Sequence, residues 1–230
     1  IVADSLCQIA DRLEKASDFK EEVNGVVKDI IKNHKRIVFN GNNYCQEWVE
    51  EAERRGLHNL KTAVDAIPSL VTDKNIKVFE RHGVLSATEI YSRYEIQLEN
   101  YAKTILIEAL TMVDMARKQI LPASLRYVRE IADTVASLNA VGANSDSVRS
   151  DLDRLVALTD SLRNKADKLA HEAEKLHTQT EDYLESAKKC KSQIIPIMEA
   201  LRADADVLET MVDARLWPIP TYGELLFGLM

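Results

Sequence analysis

The most regular feature of the chain is a heptad pattern of apolar and small residues in its last third. From Leu152 to Met211 these residues recur at alternating spacings of three and four, and Asp204 is the one charged residue in the register. The positions are Leu152, Leu155, Thr159, Leu162, Ala166, Leu169, Ala173, Leu176, Thr180, Tyr183, Ala187, Cys190, Ile194, Ile197, Leu201, Asp204, Leu208 and Met211. This seam predicts a helix that packs against another in coiled-coil fashion. Helical throughout, it would span roughly 90 Å at about 1.5 Å per residue, with Pro196 bending it between seam positions.

A second helical pattern supplies a partner for this seam. Ser86 and Glu89 form a Ser-x-x-Glu capping box, and apolar periodicity continues from there to Asn139. Pro122 interrupts it and predicts a kink or a restart. Residues 141–145, with their glycine, predict a reversal that folds the two patterns into an antiparallel hairpin.

The first 85 residues carry shorter patterns. Apolar positions at helical spacing predict five helices, over residues 1–16, 18–33, 44–55, 59–67 and 73–82. Asp18 with Glu21 resembles a capping box, and Asp73 is the predicted N-cap of the fifth helix. Residues 37–39 are β-like and residues 40–43 have turn chemistry, so this stretch is predicted to be a loop or a very short strand.

The predicted fold class is all-α. Only 7 glycines and 5 prolines occur among 230 residues, roughly 5% where ordinary proteins carry about 12%, which excludes turn-rich all-β folds. We expect short helices and loops over residues 1–85. A long antiparallel coiled-coil-like hairpin or bundle is expected over residues 86–214, and an extended apolar tail over residues 215–230.

Charge and cysteine content narrow the possible partners. A net charge of −7 argues against nucleic acid and anionic membranes, which require basic surfaces. No apolar run approaches the roughly 20 residues that span a bilayer. Cys7, Cys45 and Cys190 are odd in number and widely spaced, which predicts free thiols in a soluble, cytoplasmic protein.

Few residue clusters resemble a catalytic or metal site. Glu174 and His177 match a Glu-x-x-His motif, with His171 nearby, but a di-iron bundle needs two copies and a zincin needs histidines four apart. Leu176 occupies the seam, so Glu174 and His177 are predicted on flanking or solvated positions. Arg81 and His82, beside a glycine, are typical of a helix C-terminus. Tyr91, Tyr94 and Tyr101 are predicted in the core or seam, and no catalytic, cofactor-binding or metal residue is identified.

The tail differs in kind from the helices before it. Two prolines end the helix, and an aromatic, apolar segment follows that would be costly to leave in water. We expect it to dock, either on its own bundle or on another domain or subunit. The candidate docking residues are Trp217, Pro218, Ile219, Tyr222, Leu225, Leu226 and Phe227.

Six strings in order along nearly the whole chain resemble the C-terminal region of type III glutamine synthetases, the long-chain bacterial class. They are residues 1–15 (IVADSLCQIADRLEK), 36–49 (RIVFNGNNYCQEWV), 56–66 (GLHNLKTAVDA), 81–94 (RHGVLSATEIYSRY), 109–122 (ALTMVDMARKQILP) and 217–227 (WPIPTYGELLF). The chain also begins without methionine inside an amphipathic pattern, as expected of a piece of something longer.

The resemblance implies part of an enzyme that joins ammonia to glutamate with ATP and Mg²⁺ or Mn²⁺. In that family the metal- and phosphate-binding residues lie on an upstream catalytic barrel, so none is carried onto this chain, which we expect to be inactive alone. Its implied partners are that barrel, against which residues 1–16 would pack, and further copies in stacked homo-oligomeric rings. Two alternatives stay open: a free-standing coiled-coil interaction module, and a metal-binding bundle enzyme that uses Glu174 and His177.

Overall fold

The computed structural model describes residues 1–178, 182–220 and 222–228, with the backbone alone for residues 177, 178 and 222. Every regular element within these ranges is helical, which confirms the all-α prediction. None of the described helices combines the length and apolar composition needed to cross a lipid bilayer. The chain divides into two compact units, Ile1–Gln97 and Leu98–Met230. The predicted division into three segments stays a prediction.

The first unit consists of short helices. They are α1 (Val2–Leu13), α2 (Phe19–His34), α3 (Gln46–Arg54), α4 (Ala63–Ala66), α5 (Asp73–Arg81) and the first turns of α6 (Ala87–Met115). Asp18 caps α2 by accepting a hydrogen bond from the Glu21 N–H at 3.0 Å. Arg12 joins α1 to α2 through ion pairs with Glu22 and, at 2.7 Å, with Asp29.

Two details of this unit differ from the sequence prediction, and residues 37–39 follow its loop alternative. The helix predicted over residues 59–67 is shortened to α4. Thr62 is its N-cap residue, because the Thr62 side chain accepts a hydrogen bond from the Asp65 N–H, and a 3-10 turn follows at Ile67–Val71. Thr72, not Asp73, is the N-cap residue of α5. Residues 37–39 form no strand, because Lys35–Ile37 is a 3-10 turn and Phe39 stacks on Trp48 with ring centroids 4.6 Å apart.

The capping box at the start of α6 is confirmed. The Ser86 N–H donates to Glu89 Oε2 at 2.8 Å, and the Glu89 N–H donates to Ser86 Oγ at 3.3 Å. The hydrogen bonds that the Ser86 N–H and the Ser86 hydroxyl donate to this carboxylate lower the pKa of Glu89. The tyrosines that follow are not uniformly buried, since Tyr91 is 49% exposed, contrary to the prediction.

The second unit is a bundle of long helices around α8 (Asp146–Thr178). The remainder of α6 leads through a π turn (Ala116–Ile120) into α7 (Leu121–Ala140), and the chain then reverses. Gly142 adopts φ +71° at the reversal, a conformation that favours glycine, and this confirms the turn predicted at residues 141–145. After α8 come α9 (Tyr183–Lys189), a second π turn (Cys190–Ile194), α10 (Ile195–Glu209) and α11 (Tyr222–Phe227).

The seam is divided between α8 and the later helices α9 and α10, which corrects the prediction of one continuous rod. Asp182 caps α9 by accepting a hydrogen bond from the Leu184 N–H at 2.8 Å, so α9 begins as a new helix. Helix α8 packs against both α7 and α10. Most of the described seam positions nevertheless lie in the core, as predicted, and Leu162, Leu169 and Leu208 are fully buried. Tyr183 is 39% exposed, and Thr180 lies outside the described residues.

Each π turn ends two residues before a proline. The Leu121 N–H donates to the Ala116 carbonyl and the Ile195 N–H to the Cys190 carbonyl, and Pro122 and Pro196 then lie in the first turn of the next helix. Proline is tolerated there because it has no N–H to donate. The helix therefore restarts at Pro122, as predicted. Leu125, the first apolar residue after Pro122 at helical spacing, is 44% exposed, whereas Val135 further along the same spacing is buried.

Candidate docking surface

The C-terminal segment leaves the bundle through a turn built on Asp213. Its carbonyl accepts hydrogen bonds from the N–H groups of Leu216, at 2.8 Å, and Trp217, at 3.1 Å. Its carboxylate accepts from the backbone N–H of Arg215 at 2.8 Å and from the Arg215 guanidinium at 2.6 Å. These hydrogen bonds from Arg215 lower the pKa of Asp213 to about 2. The turn thus fixes the direction in which the segment starts.

The first part of the predicted docking set lies against the chain's own bundle. Leu216, Trp217 and Ile219 are half-buried and pack against the hydrophobic core of the second unit. Pro218, between them, is also half-buried. This part of the segment therefore packs against its own unit.

The last part of the set is exposed. Residues 222–227, predicted to be extended, form helix α11, on which Leu225 is 66% exposed, Leu226 73% and Phe227 74%. The side chain of Tyr222 lies outside the described residues. These three consecutive apolar side chains are largely exposed, and we call them the α11 ridge.

An apolar groove, which sequence reasoning missed, lies beside the α11 ridge. It has a volume of about 540 Å³, and charged side chains of α10 line its rim. Its walls come from three long helices and the tail, and include Met112, Ala116, Leu162, Leu201, Ile219 and Leu225. The groove forms because α10 packs back against α8. The prediction of one continuous helix did not allow this contact. One sequence signal for that return is the Asp-x-x-Glu pattern at Asp182, which is typical of the start of a new helix.

The metal-like residues of α8 do not form a cluster among the side chains that the structure describes. His171 and Glu174 are exposed, whereas Leu176 is buried in the seam as predicted. The side chain of His177 lies outside the described residues. No group of three or more His, Cys, Asp or Glu side chains that could hold a metal ion occurs in the described part of the chain.

Arg81 and His82 lie at the C-terminal end of α5, as predicted, beside Gly83 at φ +60°. Arg81 Nη1 is 2.5 Å from Asp4 Oδ1 of α1, and His82 Nε2 is 3.5 Å from the same oxygen. The hydrogen bond from Arg81 is the main cause that lowers the pKa of the Asp4 carboxyl. This cluster joins α1 to α5 within the first unit.

Comparison with known proteins identifies the family. The model of the glutamine synthetase C-terminal domain matches residues 22–139, just over half of the chain. A glutamine synthetase of Butyrivibrio fibrisolvens is 39% identical over 92% of this chain and 30% of its own length. A type-3 glutamine synthetase of Dictyostelium discoideum is 34% identical over 99% of this chain and 32% of its own length. A glutamine synthetase of Bacteroides fragilis is 27% identical over 94% of this chain and 30% of its own length.

The chain thus spans about a third of the length of the curated relatives that it matches. The family match begins within α2 and extends to the end of α7, so it covers parts of both units. The strings that carry the sequence resemblance fall largely within this range. The chain belongs to the glutamine synthetase C-terminal domain family.

Proposed function

We propose that the chain is the non-catalytic C-terminal helical part of a type III glutamine synthetase, where it serves structure and oligomer assembly. The observation that carries this proposal is the similarity to a type-3 glutamine synthetase over 99% of the chain but only 32% of that relative. In this proposal the whole enzyme ligates ammonia to glutamate with ATP and Mg²⁺ or Mn²⁺ in the cytoplasm. The groups that bind ATP and metal belong to the part of the enzyme that this chain does not span.

Exposed apolar faces on the first unit support packing against another part of the same enzyme. On α1, Val2 is 73% and Leu6 60% exposed, and on α2, Phe19 is 65% and Ile31 62% exposed. Few apolar residues of the first unit are fully buried, namely Val26, Val64 and Ile90 among those described. Such faces mark interaction surfaces. We infer that they pack on the catalytic barrel and that the tail contributes to contacts between subunits.

The alternative of a free-standing coiled-coil module has no comparable support. Such a module needs a seam surface that is free to bind a separate helix, but α7 and α10 both pack against α8. Seam residues such as Leu155 and Leu201 are already buried within the unit. Little of the heptad surface is left for a separate helical partner.

The test is an assay of glutamate- and ammonia-dependent ATP hydrolysis on two purified proteins. The 230-residue chain is expected to show no turnover, and the longer product of the gene that encodes it is expected to be active. Robust turnover by the chain alone would refute the non-catalytic role. An inactive longer product, with its substrates and metal supplied, would refute the assignment to a glutamine synthetase.

A matched pair of variants in the longer product tests the assembly role. Phe19→Asp places a charge on the exposed apolar face of α2, whereas Lys20→Asp changes the adjacent residue on the same helix. We expect Phe19→Asp to lower the mass of the assembly, or the yield of folded enzyme, and Lys20→Asp to preserve both. The measurement is light scattering after size-exclusion chromatography, and equal behaviour of the two variants would count against an assembly role for α2.

A further inference from the structure

We propose that Asn40 is a site of spontaneous covalent modification, at which the side-chain amide is converted to a carboxylate with release of ammonia. This inference is independent of the function proposed above. The sequence contains two Asn-Gly pairs, Asn24–Gly25 and Asn40–Gly41, and only the second lies outside the helices. The two pairs share their side-chain chemistry and differ in backbone structure, so the fold determines which of them reacts.

The reaction needs a backbone N–H that is free to attack the asparagine before it. The Gly41 nitrogen bonds to Cγ of Asn40 and passes its proton to a base in the solvent. The Cγ–Nδ2 bond breaks, Nδ2 takes up a proton and leaves as ammonia, and a five-membered succinimide ring remains. A water molecule then opens the ring at either carbonyl carbon, which yields aspartate or isoaspartate. Glycine favours the first step because it has no Cβ to obstruct the attack.

The loop leaves both reacting groups of this pair free. Asn40 and Gly41 are exposed and lie between the 3-10 turn at Lys35–Ile37 and α3. Among the described residues, neither the Asn40 side chain nor the Gly41 N–H makes a hydrogen bond. Hydrogen bonds resume further along, where the Tyr44 N–H donates to the side-chain oxygen of Asn42 at 3.0 Å. No hydrogen bond to another described residue therefore has to break before the Gly41 nitrogen can attack.

Helix α2 protects the other pair. Asn24 is exposed as well, so exposure does not distinguish the two asparagines. Gly25 lies inside α2, where each N–H donates to the carbonyl four residues earlier, which for Gly25 is that of Glu21. Attack by this nitrogen requires loss of that hydrogen bond and of the helical backbone conformation. Both require local unfolding, which has a free-energy cost that the loop does not have.

Packing of the loop requires the glycine that makes Asn40 reactive. A Cβ at position 41 would lie 2.5 Å from Cε1 of Phe39. An alanine there would displace the ring that stacks on Trp48 with centroids 4.6 Å apart. The close approach of Gly41 to this ring thus keeps an Asn-Gly pair in an exposed loop, and the reaction places a negative charge next to Phe39.

The test compares the two pairs in one sample. The 230-residue chain is incubated in mildly alkaline buffer and digested with trypsin, which releases residues 21–28 and 37–54 as separate peptides. Fragment mass spectra locate the mass increase that replacement of NH2 by OH produces. We expect conversion at Asn40 to be at least about tenfold faster than at Asn24 in the folded chain. In concentrated urea, where α2 unfolds, the two rates should approach each other.

Asn40→Gln is the matched control, because it keeps the amide but needs a larger and less favourable ring. It should abolish conversion at position 40 and leave the rate at Asn24 unchanged, with the same circular dichroism as the unmodified chain. Equal rates at Asn24 and Asn40 in the folded chain would overturn the proposal. Conversion of Asn40 in urea but not in the folded chain would also overturn it, because the folded loop would then protect the pair.

Discussion

Lys165 Nζ on α8 lies 2.7 Å from Asp204 Oδ2 on α10. The same ammonium donates a hydrogen bond to the carbonyl oxygen of Ala200 at 3.2 Å. Asp204 is the one charged residue in the heptad register, and it is only 9% exposed. Because a slip of one helical turn would leave this carboxylate without its cation, the pair fixes the register of α10 along α8.

Removal of the Asp204 carboxylate is expected to destabilise the bundle. In Asp204→Ala, Lys165 loses its counter-ion, and the free energy of unfolding should fall by about 2 kcal/mol. This is less than the cost for a fully buried pair, because the Lys165 side chain is 32% exposed and solvent screens it. Urea denaturation followed by circular dichroism measures the change.

Asp206→Ala is the matched control for this substitution. It breaks the exposed Arg202–Asp206 pair one half-turn further along α10, and its effect should stay within about 0.5 kcal/mol. The double variant Lys165→Met with Asp204→Leu should be at least as stable as Asp204→Ala, because it leaves no unpaired charge. Equal losses in Asp204→Ala and Asp206→Ala would contradict a special role for the inner pair.

Arg55 at the end of α3 is expected to hold the preceding loop in place. Its Nη1 donates to the carbonyl oxygen of Val38 at 2.7 Å, and its guanidinium carbon is 5.6 Å from the ring centroid of Trp48. Arg55→Ala should lower the free energy of unfolding by about 1–2 kcal/mol through loss of these hydrogen-bond and ring contacts. In a Trp217→Phe background, the fluorescence of Trp48 should shift to longer wavelength.

Two further variants distinguish the effect of the Arg55 guanidinium from that of a positive charge alone. Arg55→Lys should restore little of the lost stability. A lysine ammonium cannot both bond the loop carbonyls and cover the aromatic rings, as the planar guanidinium does. Arg54→Ala removes an exposed neighbour whose described side-chain bonds go to Glu51, and it should change neither stability nor Trp48 fluorescence appreciably. A Trp48 spectrum that is the same in Arg55→Ala and Arg54→Ala would contradict this prediction.

The Asp213 turn has a measurable pH signature. Arg215 lowers the pKa of Asp213 to about 2, below its usual value of 3.8. The ionised form is therefore favoured in the folded state, and its contribution to stability is present above pH 3.8 and is lost as pH falls through about 2. Carboxyl NMR titration should find a midpoint near 2 for Asp213. The Asp213 midpoint should move toward 3.8 in Arg215→Ala and should be unchanged in Arg202→Ala.

The three cysteines are expected to differ in reactivity. Burial raises the pKa of the Cys190 thiol to about 11, and the side chain has no exposed surface, whereas Cys7 is exposed. A thiol reagent at pH 8 should modify Cys7 first and reach Cys190 only after unfolding, because the thiolate is the reactive form. Peptide mass spectrometry locates the label. Comparable native-state rates at the two sites would contradict the buried position.

The same burial makes stability depend on alkaline pH. The raised pKa of Cys190 favours the protonated thiol in the folded state, so its contribution is complete below about pH 9 and is lost as pH rises toward 11. Denaturation at pH 8 and pH 10.5 should show a smaller loss in Cys190→Ala than in the unmodified chain. An equal loss in both would indicate that other groups cause the alkaline effect.

The helices could be predicted from the sequence because their signals are local. The Ser86–Glu89 box, the Asp18 cap and the glycine at position 142 act within one turn of the residues they affect, and all three are as predicted. Burial of seam residues such as Leu162 and Leu208 follows equally from the spacing. The family resemblance also depends on the order of residues alone, and it is confirmed.

The path of the seam could not be predicted in the same way. Spacings of three and four are the same whether one helix continues or a second helix begins. The Asp182 cap starts the second helix, but only the tertiary structure shows that α10 then packs against α8. Likewise, periodicity assumes 3.6 residues per turn, and the π turns at Ala116–Ile120 and Cys190–Ile194 depart from that repeat.

The sequence by itself determined that the chain is helical, that most seam residues enter the core and that the chain resembles the glutamine synthetase family, because side-chain chemistry and short-range spacing carry that information. Only the tertiary structure decided that α8 packs against both α7 and α10, that Lys165 neutralises Asp204, and that the tail divides into a packed part and an exposed part beside a groove. These features join residues far apart in the chain. They depend on which surfaces meet, and that is fixed when the helices pack together.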